Sequence, residues 1–290
     1  MKRNRIGEII VERIIFIGGI SGVVILFLIF LFLFKESFTF FIRYPLKEFF
    51  FGKNWYPTSV PPKFGLIPLL LGSLLVTVGA IAISLPLGVA CAIYISEVAP
   101  GWAKEILKPV MELIAAIPSV VLGFIGLVIL VPLIKQAFHL PTGLTALAGS
   151  ITLAFMALPT ITSISEDALS ALPRDYKEAS FALGATHWQT IRYVLLPAAK
   201  PGILAATMLG LGRAIGETMA VLMVTGNAAV IPHTFLQPVR TMTATIAMEM
   251  GEVVQGGLHY QALFAIGLIL FLISFVVNFI AEWVISRQKR

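Results

Sequence analysis

Apolar residues in this chain arrive in long blocks that carry no charge. Ile14–Phe34 and Leu113–Ile134 contain no Asp, Glu, Lys or Arg. A helix needs about 20 mainly apolar residues to cross hydrocarbon, so each block is long enough. The same pattern predicts six spans: Ile14–Phe34, one within Phe64–Ser96, Leu113–Ile134, Leu144–Ser165, Gly202–Val224 and Ala262–Ile285. Phe64–Ser96 is longer than one crossing requires, so part of it is expected to run along an interface. Pro86, Pro118, Pro132 and Pro159 fall in or at the ends of spans. Each removes a backbone donor and can kink a helix, which neighbouring helices tolerate in a membrane. Gly18-x-x-x-Gly22 and Gly212-x-x-x-Gly216 offer small faces for close helix approach. No internal repeat or low-complexity tract stands out.

Composition agrees with this pattern. Hydrophobic residues make up 58% of the 290 and charged residues 12%, about half the charged share of a soluble domain. The net charge of +6 belongs to loops that flank spans. No separate basic domain exists, so nucleic-acid binding is not expected. Cys91 has no second cysteine to pair with and sits in an apolar run as a small hydrophobe. The charged start followed by Ile14–Phe34 resembles a signal peptide, but the run exceeds the usual h-region of about 7–15 residues. It reads as a retained first span.

Positive charges suggest an orientation. With both termini in the cytoplasm, the inner segments hold Lys2, Arg3, Arg5, Arg13, Lys104, Lys108, Arg174, Lys177, Arg192, Lys200, Arg287, Lys289 and Arg290. The outer segments then hold Lys35, Arg43, Lys47, Lys53, Lys63, Lys135 and Arg240. The first outer loop runs against the rule with five of these, and its aromatics (Phe38, Phe40, Phe41, Phe49, Phe50, Phe51, Trp55, Tyr56) read as an interfacial belt.

One polar stretch lies between the fourth and fifth spans. Pro173 suits a first helical turn, and residues 174–183 can follow as a helix. Gly184 ends it by taking a left-handed cap. Thr186 with Gln189 reads as a capping box for a second helix, running from His187 to Leu196 and broken by Pro197. The product is a short helical hairpin at one membrane face. Its apolar positions Tyr176, Ala179, Phe181, Ala182 and Leu183 either dock a partner's groove or pack on the chain's own bundle.

Two charges fall inside the fifth span. Counting from Gly202, Arg213 lies about 16 Å along a helix, near the middle of a bilayer, where each charge costs about 2.5–3.5 kcal/mol. Glu217 follows four residues later, on the same helix face and within pairing reach. Either Arg213 contacts an anion on its path, using a guanidinium that holds two oxygens at once, or the pair fixes helix register. In the first case Glu217 orients Arg213 and moderates its grip, or accepts a hydrogen bond from a protonated anion such as hydrogen phosphate.

Glu178-Ala179-Ser180-x-x-x-Gly184, then nine residues and Val194-x-Leu196-Pro197, resembles the EAA loop of ATP-binding-cassette importer permeases. That pattern reads Glu-Ala-Ala, Gly and Ile-x-Leu-Pro, so this chain departs at Ser180 and Val194. The string Gly212-Arg213-Ala214-Ile215-Gly216-Glu217-Thr218-Met219-Ala220-Val221 narrows the resemblance to phosphate-specific importer permeases. Pro61-Pro62-Lys63-Phe64-Gly65, Ile117-Pro118-Ser119-Val120-Val121 and residues 243–252 agree. PstA-type subunits typically carry Ala-Pro where this chain has Met219-Ala220, so it is nearer to the PstC-type subunits. The likeness covers almost the whole chain and is weakest in the first span and first outer loop.

The resemblance implies an all-α integral membrane protein with six transmembrane helices and the type I importer (MetI-like) fold. Residues 1–65 would be an N-terminal span with its basic, aromatic outer loop. Residues 66–286 would be the permease domain, with the coupling loop at 173–197. Glu178, Ala179, Gly184, Leu196 and Pro197 would dock an ATPase, and Arg213 and Glu217 would lie on the substrate pathway. The implied function is phosphate import across a prokaryotic inner membrane by alternating access. The implied partners are a PstA permease subunit, two PstB ATPases and an external PstS binding protein. No Gly-x-x-x-x-Gly-Lys-Ser/Thr occurs, so ATP hydrolysis belongs to a separate subunit. Gly210-x-Gly212-x-x-x-Gly216 has the wrong spacing for a dinucleotide loop. His139, His187, His233 and His259 show no ligand spacing, so no metal or cofactor is expected, and nothing places a catalytic triad. Glu249 and Glu252, in the outer segment before the sixth span, read as a solvated face or as a contact for a binding protein, and Glu112, Glu166 and Asp167 as solvated groups near span ends. A stand-alone secondary transporter would not need the EAA loop and would show inverted repeats, and none is visible. A scaffold without transport leaves the intramembrane charges unexplained.

Overall fold

The computed structural model describes residues 3–288, and among these the regular elements are helices apart from one short ribbon. The order is α1 (Arg3–Arg43), α2 (Leu46–Phe51), β1 (Trp55–Tyr56), β2 (Lys63–Phe64), α3 (Ile67–Ile93), α4 (Gly101–Ala116), α5 (Ser119–Ile125) and α6 (Val131–Ala137). It continues with α7 (Ala146–Ser170), α8 (Asp175–Ala182), α9 (His187–Thr190), α10 (Leu196–Gly216), α11 (Met219–Val224), α12 (Met242–Glu249) and α13 (Leu258–Gln288). β1 and β2 pair antiparallel, with Trp55 opposite Phe64. Lys2, Lys289 and Arg290, three of the charges used for orientation, lie outside the described residues.

Six helical stretches are long and apolar enough to cross a membrane: Val11–Arg43, Ile67–Val98, Ser119–Ala137, Ala146–Ser170, His187–Gly216 and Leu258–Ile280. Their number matches the sequence pattern, but several bounds move. The second stretch is one continuous helix that ends in a wide π turn at Tyr94–Val98, so no part of it lies flat as a separate segment. The third starts only after a break, because Ile117 and Pro118 are extended. The fifth begins at His187 and stops at Gly216, whereas the sequence suggested Gly202 to Val224.

Pro197 also departs from expectation. It does not break the helix. A π turn at Ile191–Leu195 precedes it, and the Leu196 N–H bonds five residues back to Ile191 O. The wider turn re-registers the backbone so that the ring passes without the usual clash.

α7 is the centre of the bundle. About 61% of its apolar window is buried, against 33% or less in the other five stretches. Helices in lipid gain nothing from hiding apolar surface from one another, so small residues that let backbones approach decide which pairs pack. α3 meets α7 this way. A Cβ on Gly79 would stand 2.4 Å from Ser150 Oγ, and one on Gly88 would stand 2.8 Å from Ile161 Cγ2. Ser150 Oγ donates across the seam to Val76 O at 3.2 Å. α10 closes on the same helix near Ile161. Gly18, Gly22, Gly212 and Gly216 have nothing within 4 Å of a built Cβ, so among the described residues neither GxxxG string makes a close contact.

The end of the bundle away from the α8–α9 turn is filled by aromatics. Phe40, Phe49, Trp55 and Phe64 are buried with Leu66, Leu69 and Leu263. Their rings meet edge to face, as Phe40–Phe49 does at 5.1 Å between centroids. The expected belt is therefore only partly a belt. Phe38, Phe50, Phe51 and Tyr56 are exposed, while Phe40, Phe49 and Trp55 form a core that ties α1 and the ribbon to α3 and α13.

Glu249 corrects another expectation, since it is not a solvated group. Its carboxylate accepts from Trp55 Nε1 at 3.0 Å and Arg240 Nη1 at 2.8 Å, and it lies 2.8 Å from His259 Nε2. At the opposite end, Glu166 and Asp167 both bind the Lys108 ammonium, at 2.8 and 2.7 Å. The hydrogen bonds that Lys108 donates to Asp167 and then to Glu166 hold it above the ordinary lysine range.

The close approach of α3 to the segment before α12 makes a test. A Cβ at Gly72 would lie 2.4 Å from the Arg240 carbonyl oxygen, a backbone atom that cannot swing aside. Gly72→Val should lower stability by about 1–3 kcal/mol, the usual cost of overpacking. Gly18→Val, in open space, should leave it unchanged. Thermal unfolding of the purified variants in one detergent measures both, and equal midpoints would refute the packing described.

Candidate functional site

The α8–α9 hairpin forms as its sequence dictates. Gly184 takes φ +81, a left-handed conformation that a side chain would strain. Its N–H bonds to Phe181 O at 2.9 Å, and Ala185 N–H to Ser180 O at 3.2 Å. Thr186 and Gln189 form the full capping box, with Thr186 N–H donating to Gln189 Oε1 at 2.8 Å and Gln189 N–H to Thr186 Oγ1 at 3.3 Å. The two limbs are pinned by buried Ser180 and Thr190, whose hydroxyl oxygens lie 2.9 Å apart. Ser180, one of the departures from the EAA pattern, thus supplies a cross-link that alanine could not.

The hairpin presents a large surface. Glu178, Ala179, Gly184 and Pro197 are exposed and Leu196 is half-buried. Leu183 is 90% exposed, and Tyr176, Phe181, Trp188 and Tyr193 stand out as well. Of the two sequence alternatives, packing on the chain's own bundle fails for α8. A groove of about 570 Å³ opens beside Tyr176, Ala179, Leu183 and Val194. Below it, Ile191, Leu195 and Ala199 join Ala92 of α3 and Leu169 of α7 in a buried cluster. The second limb is rooted there and runs on without interruption into α10.

The second candidate region lies where two helices break. α4 ends at Ala116, and Ile117 and Pro118 are extended before α5. α10 ends at Gly216, and Glu217 is extended (φ −69, ψ 133) before α11. α5 packs on α11, with room at Gly123 for no Cβ against Ala220. The breaks therefore sit together, beside the middle of α7.

This geometry separates the two charges that the sequence pairs. A helix would place Arg213 and Glu217 on one face, but the helix stops between them, and no ion pair forms. Arg213 instead donates from Nη1 to Thr160 Oγ1 at 3.3 Å and from Nη2 to Ala115 O at 3.4 Å. Both bonds are long. They use two of five guanidinium donors, and the side chain is half-buried. Glu217 has partners of its own. Its Oε1 accepts from Ala220 N–H at 3.1 Å, and its backbone carbonyl accepts from Thr243 Oγ1 at 2.8 Å. Thr160 lies 14 residues from Ala146 and 10 from Ser170 in α7, about 21 and 15 Å along the axis. Arg213 is thus near mid-span. Among the described residues no carboxylate lies within 4 Å of this cation, and its two acceptors leave three of its donors unused.

Thr160 and the Ala115 carbonyl are partners that the sequence did not reveal. Pro118 signalled the first break. Among the described residues no group of three or more metal-ligating side chains comes together.

The model of the family described as "Binding-protein-dependent transport system inner membrane component" matches residues 84–290. The "Probable ABC transporter permease protein YqgH" of Bacillus subtilis is 47% identical over 83% of this chain and 78% of its own length. The "Phosphate transport system permease protein PstC" of Mesorhizobium japonicum is 38% identical over the same shares. A "Probable phosphate transport system permease protein PstC" of Methanocaldococcus jannaschii is 32% identical over 96% of this chain and 93% of its own. Among solved structures, a chain of a bacterial importer of the acidic polysaccharide alginate superposes with a TM-score of 0.65 at 14% identity, covering 99% of this chain and 100% of that one. A chain of the MetNI methionine transporter in an inward-facing conformation gives 0.57 at 23%, covering 78% and 95%. These structural likenesses speak for the fold alone.

Ser180→Ala should loosen the hairpin without unfolding the bundle. Thr190 keeps its bond to Thr186 O at 3.1 Å, so the loss is one buried hydroxyl contact, about 0.5–1.5 kcal/mol. Amide hydrogen exchange should quicken across residues 180–190 and stay unchanged in α7. Uniform exchange in both proteins would show that the contact does not pin the limbs.

Proposed function

We propose that this chain, which belongs to the family of binding-protein-dependent transport system inner membrane components, carries inorganic phosphate across the membrane as one permease subunit of an importer powered by separate ATPase subunits. It is a multi-pass membrane transport subunit and not an enzyme. The observation that carries the choice of an anion is Arg213. A guanidinium near mid-span, with no carboxylate partner among the described residues and with spare donors, suits a transient stop for a tetrahedral oxyanion. Its two long bonds hold it in place while leaving it free to grip and release.

Glu217 fits the same reading. One carboxylate oxygen is engaged by Ala220 N–H, and the other can accept a proton-bearing oxygen of hydrogen phosphate. Sulfate carries no such proton at neutral pH. The two relatives named as phosphate permeases support the same substrate.

The exposed hairpin is the dock. Glu178, Ala179, Gly184, Leu196 and Pro197 present it to a PstB-type ATPase, two copies of which would serve this chain and a PstA-type sister. A PstS-type binding protein delivers phosphate at the opposite end. Both termini and the hairpin then face the cytoplasm, in line with the concentration of Lys and Arg there. Residues 1–65 are the added span and outer loop, and residues 66–286 the permease domain. ATP binding moves the hairpin, and the bundle opens alternately to each side around the paired helix breaks.

Uptake by the assembled complex in proteoliposomes tests this. Labelled phosphate should accumulate with ATP inside the correct compartment, and labelled sulfate should not. Arg213→Met should cut phosphate uptake by about tenfold or more, the effect of one lost charge-assisted contact, with normal protein in the membrane. Arg213→Met at wild-type uptake would remove the pathway role, and sulfate uptake without phosphate would replace the substrate.

A further inference from the structure

Lys177 stands one residue before Glu178, on the half of the hairpin that does not run into α10. Its ammonium lies 2.8 Å from Glu97 Oε1. Glu97 belongs to the π turn that ends α3, and its side chain is only 3% exposed. Resting on the reading of the hairpin as the ATPase dock, we infer that the Lys177–Glu97 ion pair is the joint through which the hairpin drives α3 and α4. Lys177 and Glu97 are then positioning residues for coupling transport to ATP hydrolysis.

Burial decides against an idle surface pair. Exposed ion pairs contribute little, but a carboxylate held nearly out of solvent must keep its partner. Glu97 cannot let go of Lys177 cheaply, so α8 and the end of α3 move together. The linkage also continues beyond α3. Glu97 Oε1 accepts from Ser96 Oγ at 2.8 Å. The Ser96 carbonyl accepts from Lys104 Nζ of α4. α4 runs eleven residues further, about 16 Å, to Ala115, whose carbonyl takes the Nη2 bond of Arg213. A chain of direct contacts thus joins the dock to the guanidinium on the anion path. α3 itself reaches the far end, where Ser73 Oγ accepts from Met242 N–H at 2.9 Å. The first limb therefore acts on both ends of the permease, and the second limb carries Arg213 directly.

The test uses the assembled complex in proteoliposomes, with phosphate uptake and ATP hydrolysis measured on the same preparation. A residue that merely supports the fold lowers both together; a joint changes their ratio. Lys177→Met and Glu97→Gln should each lower phosphate moved per ATP by about tenfold while hydrolysis stays within about twofold of wild type. The double variant should be no worse than either single one. Lys177→Arg should retain most of the ratio, and the exchange Lys177→Glu with Glu97→Lys should restore much of it. An unchanged ratio in both single variants, a parallel fall of uptake and hydrolysis, or additive losses in the double variant would each overturn the joint. A wild-type complex whose uptake ignores ATP sinks the dock reading and this inference with it. ATP-driven uptake in the wild type with unchanged ratios in the variants sinks this inference alone.

Discussion

A helix interrupted inside hydrocarbon releases backbone groups that no water can satisfy, and this bundle contains two such interruptions side by side. Each is served by a charged side chain. Arg213 donates to the carbonyl of Ala115 at the end of α4, where a cation also meets the negative pole of the helix. The Glu217 carboxylate accepts the N–H of Ala220 in the first turn of α11, and Thr243 accounts for the Glu217 carbonyl. This explains why two costly charges occur where two apolar residues would insert more easily. They do not neutralise each other. Each closes a different break, so the bundle has irregular backbone at mid-depth together with a guanidinium that meets no carboxylate among the described residues.

The rest of the architecture holds those breaks at a fixed level. α7 is the post against which α3 and α10 lie, with glycines and serines at the seams and no apolar driving force between helices. The aromatic cluster at one end ties α1 and the ribbon to α3 and α13. The smaller cluster of Ala92, Leu169, Ile191, Leu195 and Ala199 closes the other. Between them α3 and the His187–Gly216 helix are unbroken. Long unbroken rods next to short broken ones allow a displacement at one end to be felt at the middle, because the rods do not bend and the breaks do.

Much of this was legible in the residues, and the exceptions have physical reasons. The six apolar blocks, the left-handed Gly184 and the Thr186–Gln189 box are local signals, each decided by a few neighbouring residues. The pairing of Arg213 with Glu217 failed because four-residue spacing has meaning only on a continuous helix, and nothing local besides Gly216 announces the stop. Pro197 was misread because a π turn just before it absorbs the ring, and π turns leave no periodic mark. The outer aromatics divide between core and surface according to which face of α1 and α2 meets α3, which composition does not reveal. Glu249 with Trp55, and Lys177 with Glu97, are contacts across 194 and 80 residues of chain, beyond the reach of any local pattern.

The two halves of the hairpin are attached to different rods, and this determines what a push on it does. The second limb is the beginning of the helix that carries Arg213, 23 residues and about 35 Å from Thr190. The first limb is held to α3 by an ion pair. Were the limbs independent, a partner pressing on the exposed face of α8 would move α3 alone. They are not independent, because the buried Ser180 and Thr190 hydroxyls and the Gly184 turn close them into one unit. A displacement of that unit therefore reaches both rods. α3 and α10 make the two most extensive packings on α7, so a displacement of this unit reaches the central post through both rods, and beside them the bonds of Arg213 to Thr160 and to the end of α4 are long.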